Sequence, residues 1–216
     1  MGTDRPTRPV VAGQVAGLFV VLALAALDAP SSNWDFALFG ILLGFSAFSD
    51  LTATATGDRI SISGSFLALV LSMVFLGGAP AALIGFLTIV VGWLRWREET
   101  HYFIANLLNY TFFPLVGGVV FHAIVSSNNI TDKEVGFYVL VFGVFLLALA
   151  INFFGIAGYT RYLKGIPILK QVRTALIPLL PSELMAALMA VGVAFLYSQV
   201  GIAGVALFGI VLITFQ

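Results

Sequence analysis

Apolar positions run almost unbroken through this chain, and polar ones gather in short clusters between them. Eight apolar runs stand out, at 9–27, 34–50, 64–77, 79–95, 101–125, 134–159, 182–198 and 201–216. A helix needs about 20 apolar residues to cross a bilayer, and fewer where the bilayer thins. The pattern therefore predicts an all-α polytopic membrane protein, a single transmembrane domain of about eight helices. The third run is short. Gly77-Gly78-Ala79-Pro80 joins it to the fourth as a tight turn without charge.

Two stretches break the helical pattern. Residues 51–63 read LTATATGDRISIS, with apolar and polar positions alternating in twos around Gly57-Asp58. Period two is the strand period, and Gly-Asp suits a two-residue turn. Pairing across that turn puts Ala53, Ala55, Ile60 and Ile62 on one face, so a small β-hairpin is expected over 51–63. Residues 167–177 place Ile168, Leu169, Val172 and Leu176 on one helical face, with Lys170, Gln171, Arg173 and Thr174 away from it. That predicts an interfacial helix on the inner leaflet. Pro178 and Pro181 are expected to break the chain before the seventh span.

Composition supports lipid as the solvent. The 216 residues are 60% hydrophobic and only 9% charged, more apolar surface than a soluble globule of this length can hide. Net charge is zero, so no nucleic acid is expected as a partner. Cysteine is absent, which excludes disulfides, thiolate metal sites and thiol catalysis. His101 and His122 stand 21 positions apart, about 31 Å along one helix, and cannot share a metal. No metal or cofactor is expected in this chain.

Charge then orients the spans. Alternate assignment of the loops puts Arg5, Arg8, Arg59, Arg95, Arg97, Arg161, Lys164, Lys170 and Arg173 on one side and Lys133 alone on the other. Cationic loops stay inside, so both termini are expected in the cytoplasm. Arg59, Arg95, Arg97 and Arg173 mark a candidate cytoplasmic signalling face. The last run reaches Gln216 without a polar terminator, which suggests a further cytoplasmic domain beyond it.

Polar residues within the apolar runs are costly and need a reason. Tyr102, Asn106 and Asn109 share a face of the fifth span, and Asn152 reaches a similar depth in the sixth. Ser63 and Ser65 enter the third span nearby. This polar layer either holds a small ligand or bonds the helices together. Glu183 is read as the one carboxylate within the membrane. It either lies deep enough to relay protons or caps the helix opened by Pro181-Ser182, and the second placement is preferred. Gly13 and Gly17 form a GxxxG pair suited to close helix packing, and so to a homodimer.

Three stretches carry a resemblance: RISISGSFLALVLSMVFLGGAPAALIGFLTIVVGW (59–93), ANLLNYTFFPLVGG (105–118) and RTALIPLLPSELMAALMAVGVAFLY (173–197). They resemble the membrane-embedded N-terminal region of bacterial HD-GYP or HDIG-type phosphohydrolases of cyclic di-GMP signalling. The resemblance implies a multi-pass sensory domain in the bacterial inner membrane, passing a signal to a cytoplasmic metal-dependent phosphodiesterase domain. It carries over no catalytic residue, because Tyr102 follows His101 and Ala123 follows His122, leaving no His-Asp dyad. More loosely, the helices around GGAP look like the small-molecule-binding S subunits of vitamin transporters, which would make the chain a transporter subunit. Under either reading a small hydrophobic ligand and the lipid bilayer are the expected partners.

Overall fold

A computed structural model describes residues 6–52 and 64–214, and every regular element among them is helical. The helices are α1 (Arg8–Asp28), α2 (Phe36–Thr52), α3 (Gly64–Phe75), α4 (Gly78–Trp96), α5 (Thr100–Asn128), α6 (Val135–Lys164), α7 (Ile168–Gln171), α8 (Ile177–Val200) and α9 (Ile202–Thr214). Among the described residues five helical stretches are long and apolar enough to cross a membrane: Arg8–Ser31, Gly78–Trp96, Thr100–Asn128, Val135–Lys164 and Ile168–Val200. Around the bundle, Phe19, Val139, Leu207 and Ile210 are each more than 60% exposed, as residues facing lipid would be.

The short third run has a different explanation from a thinned membrane. Every residue of α3 from Ser65 to Val74 is buried. Helices α2, α4, α5, α6 and α8 all pack against it. A helix of 12 residues is about 18 Å long and apolar on all sides because protein surrounds it on all sides. Its polar groups are satisfied locally, as when Ser72 Oγ donates to Leu69 O at 2.6 Å.

Helix ends fall into two sets. At one end Thr7 bonds Tyr162 through its amide at 3.1 Å, Trp93 stacks on Phe103, and Gln171 Nε2 donates to Ala157 O at 3.0 Å. These contacts bring together the start of α1, the end of α4, the start of α5, the end of α6 and α7. At the other end Asn33 N–H donates to Leu76 O at 2.7 Å, Asp28 accepts from Ala79 N–H at 2.9 Å, and Tyr138 pairs with Ser198 at 3.0 Å. Successive long helices thus run in alternating directions. Of the described cations, Arg8, Arg95, Arg97, Arg161, Lys164, Lys170 and Arg173 lie toward the first end, hereafter the basic end, and Lys133 toward the second.

Glycine sets the closest approach. Gly78, Gly85 and Gly92 recur every seven residues on α4. A Cβ at Gly85 would collide with Tyr110 O on α5, and one at Gly118 of α5 would sit 2.5 Å from Gly78 N. Backbones that meet this closely leave room only for hydrogen.

The two stretches set apart from the spans in the sequence fare differently. The hairpin expected over 51–63 falls mostly on residues 53–63, outside the described residues. Its first two positions are helical: Leu51 and Thr52 continue α2, and Thr52 Oγ1 donates to Phe48 O at 2.9 Å. The interfacial helix is not a separate element. From Ile168 the chain stays helical to Val200, through a π turn at Val172–Leu176 in which Ile177 N–H reaches Val172 O. Pro178 and Pro181 therefore do not break it. A proline ring clashes with the carbonyl four residues back, Thr174 in the case of Pro178, and the wider π turn gives that carbonyl room. Thirty-three residues span about 50 Å, so the end holding Lys170 and Arg173 extends past a 30 Å apolar layer.

Candidate functional site

The residues of the expected polar layer divide between two tasks. Asn109 Nδ2 donates to Asn152 Oδ1 at 2.7 Å and to Asn152 O at 3.3 Å, which ties α5 to α6. Gly155 makes this possible, since a Cβ there would lie 2.5 Å from Asn109 Oδ1. Asn106 turns elsewhere, its Nδ2 donating to Glu98 Oε2 at 3.5 Å. Tyr102 joins an aromatic cluster with His101 and Tyr159, where His101 Nδ1 and Tyr159 OH share a 3.0 Å hydrogen bond. Ser65 is fully buried at the start of α3, and Ser63 lies outside the described residues.

Glu183 is not a helix cap. It stands six residues past Ile177, within the continuous helix, and lines a cavity of about 360 Å³ between α3, α5, α6 and α8. Phe66, Tyr110, Leu149, Phe153, Ile156 and Leu179 supply apolar wall. The polar groups are Asn152, Gln171, Glu183 and the hydroxyl of Tyr110. A mostly apolar chamber with a few convergent polar groups is the usual form of a small-molecule site. Gln171 spends its amide N–H groups on Ala157 O and Ile166 O, at 3.0 and 2.9 Å, and so pins α7 to α6. Glu183, by contrast, has no hydrogen bond or ion pair among the described residues. The π turn contributes Ala175 and Leu176 to the wall, so the irregular part of the α7–α8 path borders the chamber directly.

A second cavity of about 240 Å³ lies toward the basic end. Asp50, Glu98 and Asn106 line it with Trp93 and Trp96, and it shares Tyr110 and Ile156 with the first. Asp50 is thus a second carboxylate turned into the bundle, against Gly92 of α4. Sequence reading missed it because it closes an apolar run and looks like a terminator. A clue was present: Gly92 belongs to the seven-residue glycine series, and glycine opposite a polar side chain marks an approach.

The expected signalling and dimer residues are placed as follows. The Arg95 guanidinium lies over Trp96 at 5.0 Å and that of Arg97 over Trp93 at 5.2 Å, both at the basic end. Arg173 is exposed on the π turn, and Arg59 lies outside the described residues. Gly17 packs inside the chain, where a Cβ would touch Leu108 at 3.4 Å, whereas Gly13 faces open space. A third cavity, about 300 Å³, sits at the far end beside Asp28 and His122. Asp28 is occupied there as a cap, accepting from Ser32 Oγ and Ala79 N–H, both at 2.9 Å. Among the described residues no group of His, Asp and Glu could hold a metal ion. No family model, curated protein or solved structure matches this chain.

Proposed function

We propose that this chain is a membrane-embedded sensory domain of about eight spans, with both termini in the cytoplasm, whose ligand occupies the Glu183 chamber. The observation that carries the reading is the chamber's wall. One side is the fixed α5–α6 pair, held by Asn109 and Asn152, and the other is the α7–α8 path with its π turn. A ligand that fills the space bears on the irregular segment as well as on the regular helices around it. π turns of this kind recur at functional sites. Lys170 and Arg173 stand on that segment and would carry the displacement to the cytoplasmic surface.

The output follows from the resemblance to HD-type phosphohydrolase input regions: a cytoplasmic phosphodiesterase acting on a cyclic dinucleotide. The alternative, a transporter subunit, drew on Asn106, Asn109 and Asn152 as one binding layer. Two of these are bonded to each other and the third faces Glu98, which favours the sensor.

Leu179→Trp in the gene product as the cell makes it is the test, because the added ring fills the chamber. Cyclic dinucleotide levels are compared in cells carrying the wild type, the variant and a deletion, with membrane insertion checked by fractionation. The reading predicts a level shifted from wild type in cells where the variant is inserted normally. A wild-type level there, with the deletion distinct from it, would contradict the reading.

A further inference from the structure

The chamber's charge points to a class of ligand. We infer that it binds an amphipathic organic cation, with an ammonium group at Glu183 and an apolar body against Phe66, Phe153 and Leu179. The inference rests on the proposed reading of the chamber as the sensing site.

Glu183 lines the space and has no protein donor among the described residues. Among the described residues no Lys, Arg or His lines either the chamber or the adjoining cavity. Lys170 and Arg173, the cations nearest in sequence, are exposed and outside the lining. A carboxylate in an apolar bundle is kept for a partner, since leaving it unpaired is costly. The described residues supply none at the chamber, and a cationic ligand would.

Two further features agree. Phe66, Tyr110 and Phe153 present aromatic surface to the same space, and aromatic faces attract cations. Beyond Tyr110, Asp50 and Glu98 line the second cavity, so the charged side chains among the described lining residues of the two cavities share one sign. Low-dielectric walls focus such a field on an incoming cation. The chamber's volume, about 360 Å³, is at the small end for ligand pockets and suits a compact amine rather than a lipid.

The test uses the full chain in phosphatidylcholine nanodiscs and three probes of one shape: 4-phenylbutylamine, 4-phenylbutanol and 4-phenylbutyrate. Saturable binding is measured by calorimetry against empty nanodiscs. The amine is expected to bind at least about tenfold more tightly than the alcohol, about 1.4 kcal/mol, and the acid most weakly. Glu183→Gln is expected to erase the amine's advantage while the alcohol still binds, and Glu183→Asp to keep it. Should Glu183→Gln fail to fold, the wild-type ratio and Glu183→Asp decide. Equal binding of amine and alcohol, or a preference that survives Glu183→Gln, overturns the cationic class and leaves the chamber as a site for a neutral ligand. Absence of saturable binding by all three probes overturns the inference, and the cell measurement with Leu179→Trp then judges the sensory reading separately.

Discussion

Gly85 shows how one hydrogen atom fixes the distance between two helices. Its Cα faces Tyr110 O on α5, so any side chain there must push α4 away from α5. Gly85→Ala is expected to cost about 1–3 kcal/mol, the range for overpacking a tight core. Gly143→Ala is the control. Nothing lies within 4 Å of a Cβ there, so the change should stabilise α6 by about 0.5–1 kcal/mol through lost backbone freedom. Thermal unfolding in detergent of both variants checks the pair, and equal effects of the same sign would refute the packing argument. The residue scale also shows where sequence reading loses resolution. Spacing led to the expectation that Asn106 and Asn109 share a face and that Asn152 lies at a similar depth, and the hydrogen bond from Asn109 to Asn152 agrees with the depth. Which amide meets which was not, because three residues of helix turn Asn106 toward Glu98 and Asn109 toward Asn152. Glu183 was legible as a rare carboxylate, but its depth hung on where the helix begins, and Pro178 and Pro181 suggested the wrong start.

Element by element, hydrophobic runs located the helices well because lipid and protein interior both demand apolar side chains. The same fact hides which of the two a helix meets. α3 reads like a thin span and is instead encased by its neighbours, a distinction carried by length alone. Prolines in α8 misled for a physical reason: the ring of Pro178 meets the carbonyl of Thr174, and the π turn around that carbonyl gives it room. Pro178→Ala removes that need. Its restored N–H can bond Thr174 O, and the turn at Val172–Leu176 is expected to relax to an α-helix. Hydrogen exchange checks this, with the amides of 173–176 slowing in the variant. Unchanged exchange would mean that Pro178 does not hold the π turn in place.

For the whole molecule, the separation of charge found along the sequence reappears as two ends of a bundle. Alternating helix direction puts the described cations other than Lys133 toward the end that also holds Asp50, Glu98 and α7, with the Glu183 chamber reached through the same half. If cationic loops stay inside, that end faces the cytoplasm, and the chamber is sampled from within the cell. Everything proposed about sensing depends on this orientation. It is also directly measurable, because the chain has no cysteine of its own to interfere. Single substitutions Lys133→Cys, Arg97→Cys and Arg173→Cys, each exposed to a membrane-impermeant maleimide on intact cells, read the side of each position. The account predicts labelling of Lys133→Cys in intact cells and of the other two only after permeabilisation. Labelling of Arg97→Cys or Arg173→Cys in intact cells would contradict it.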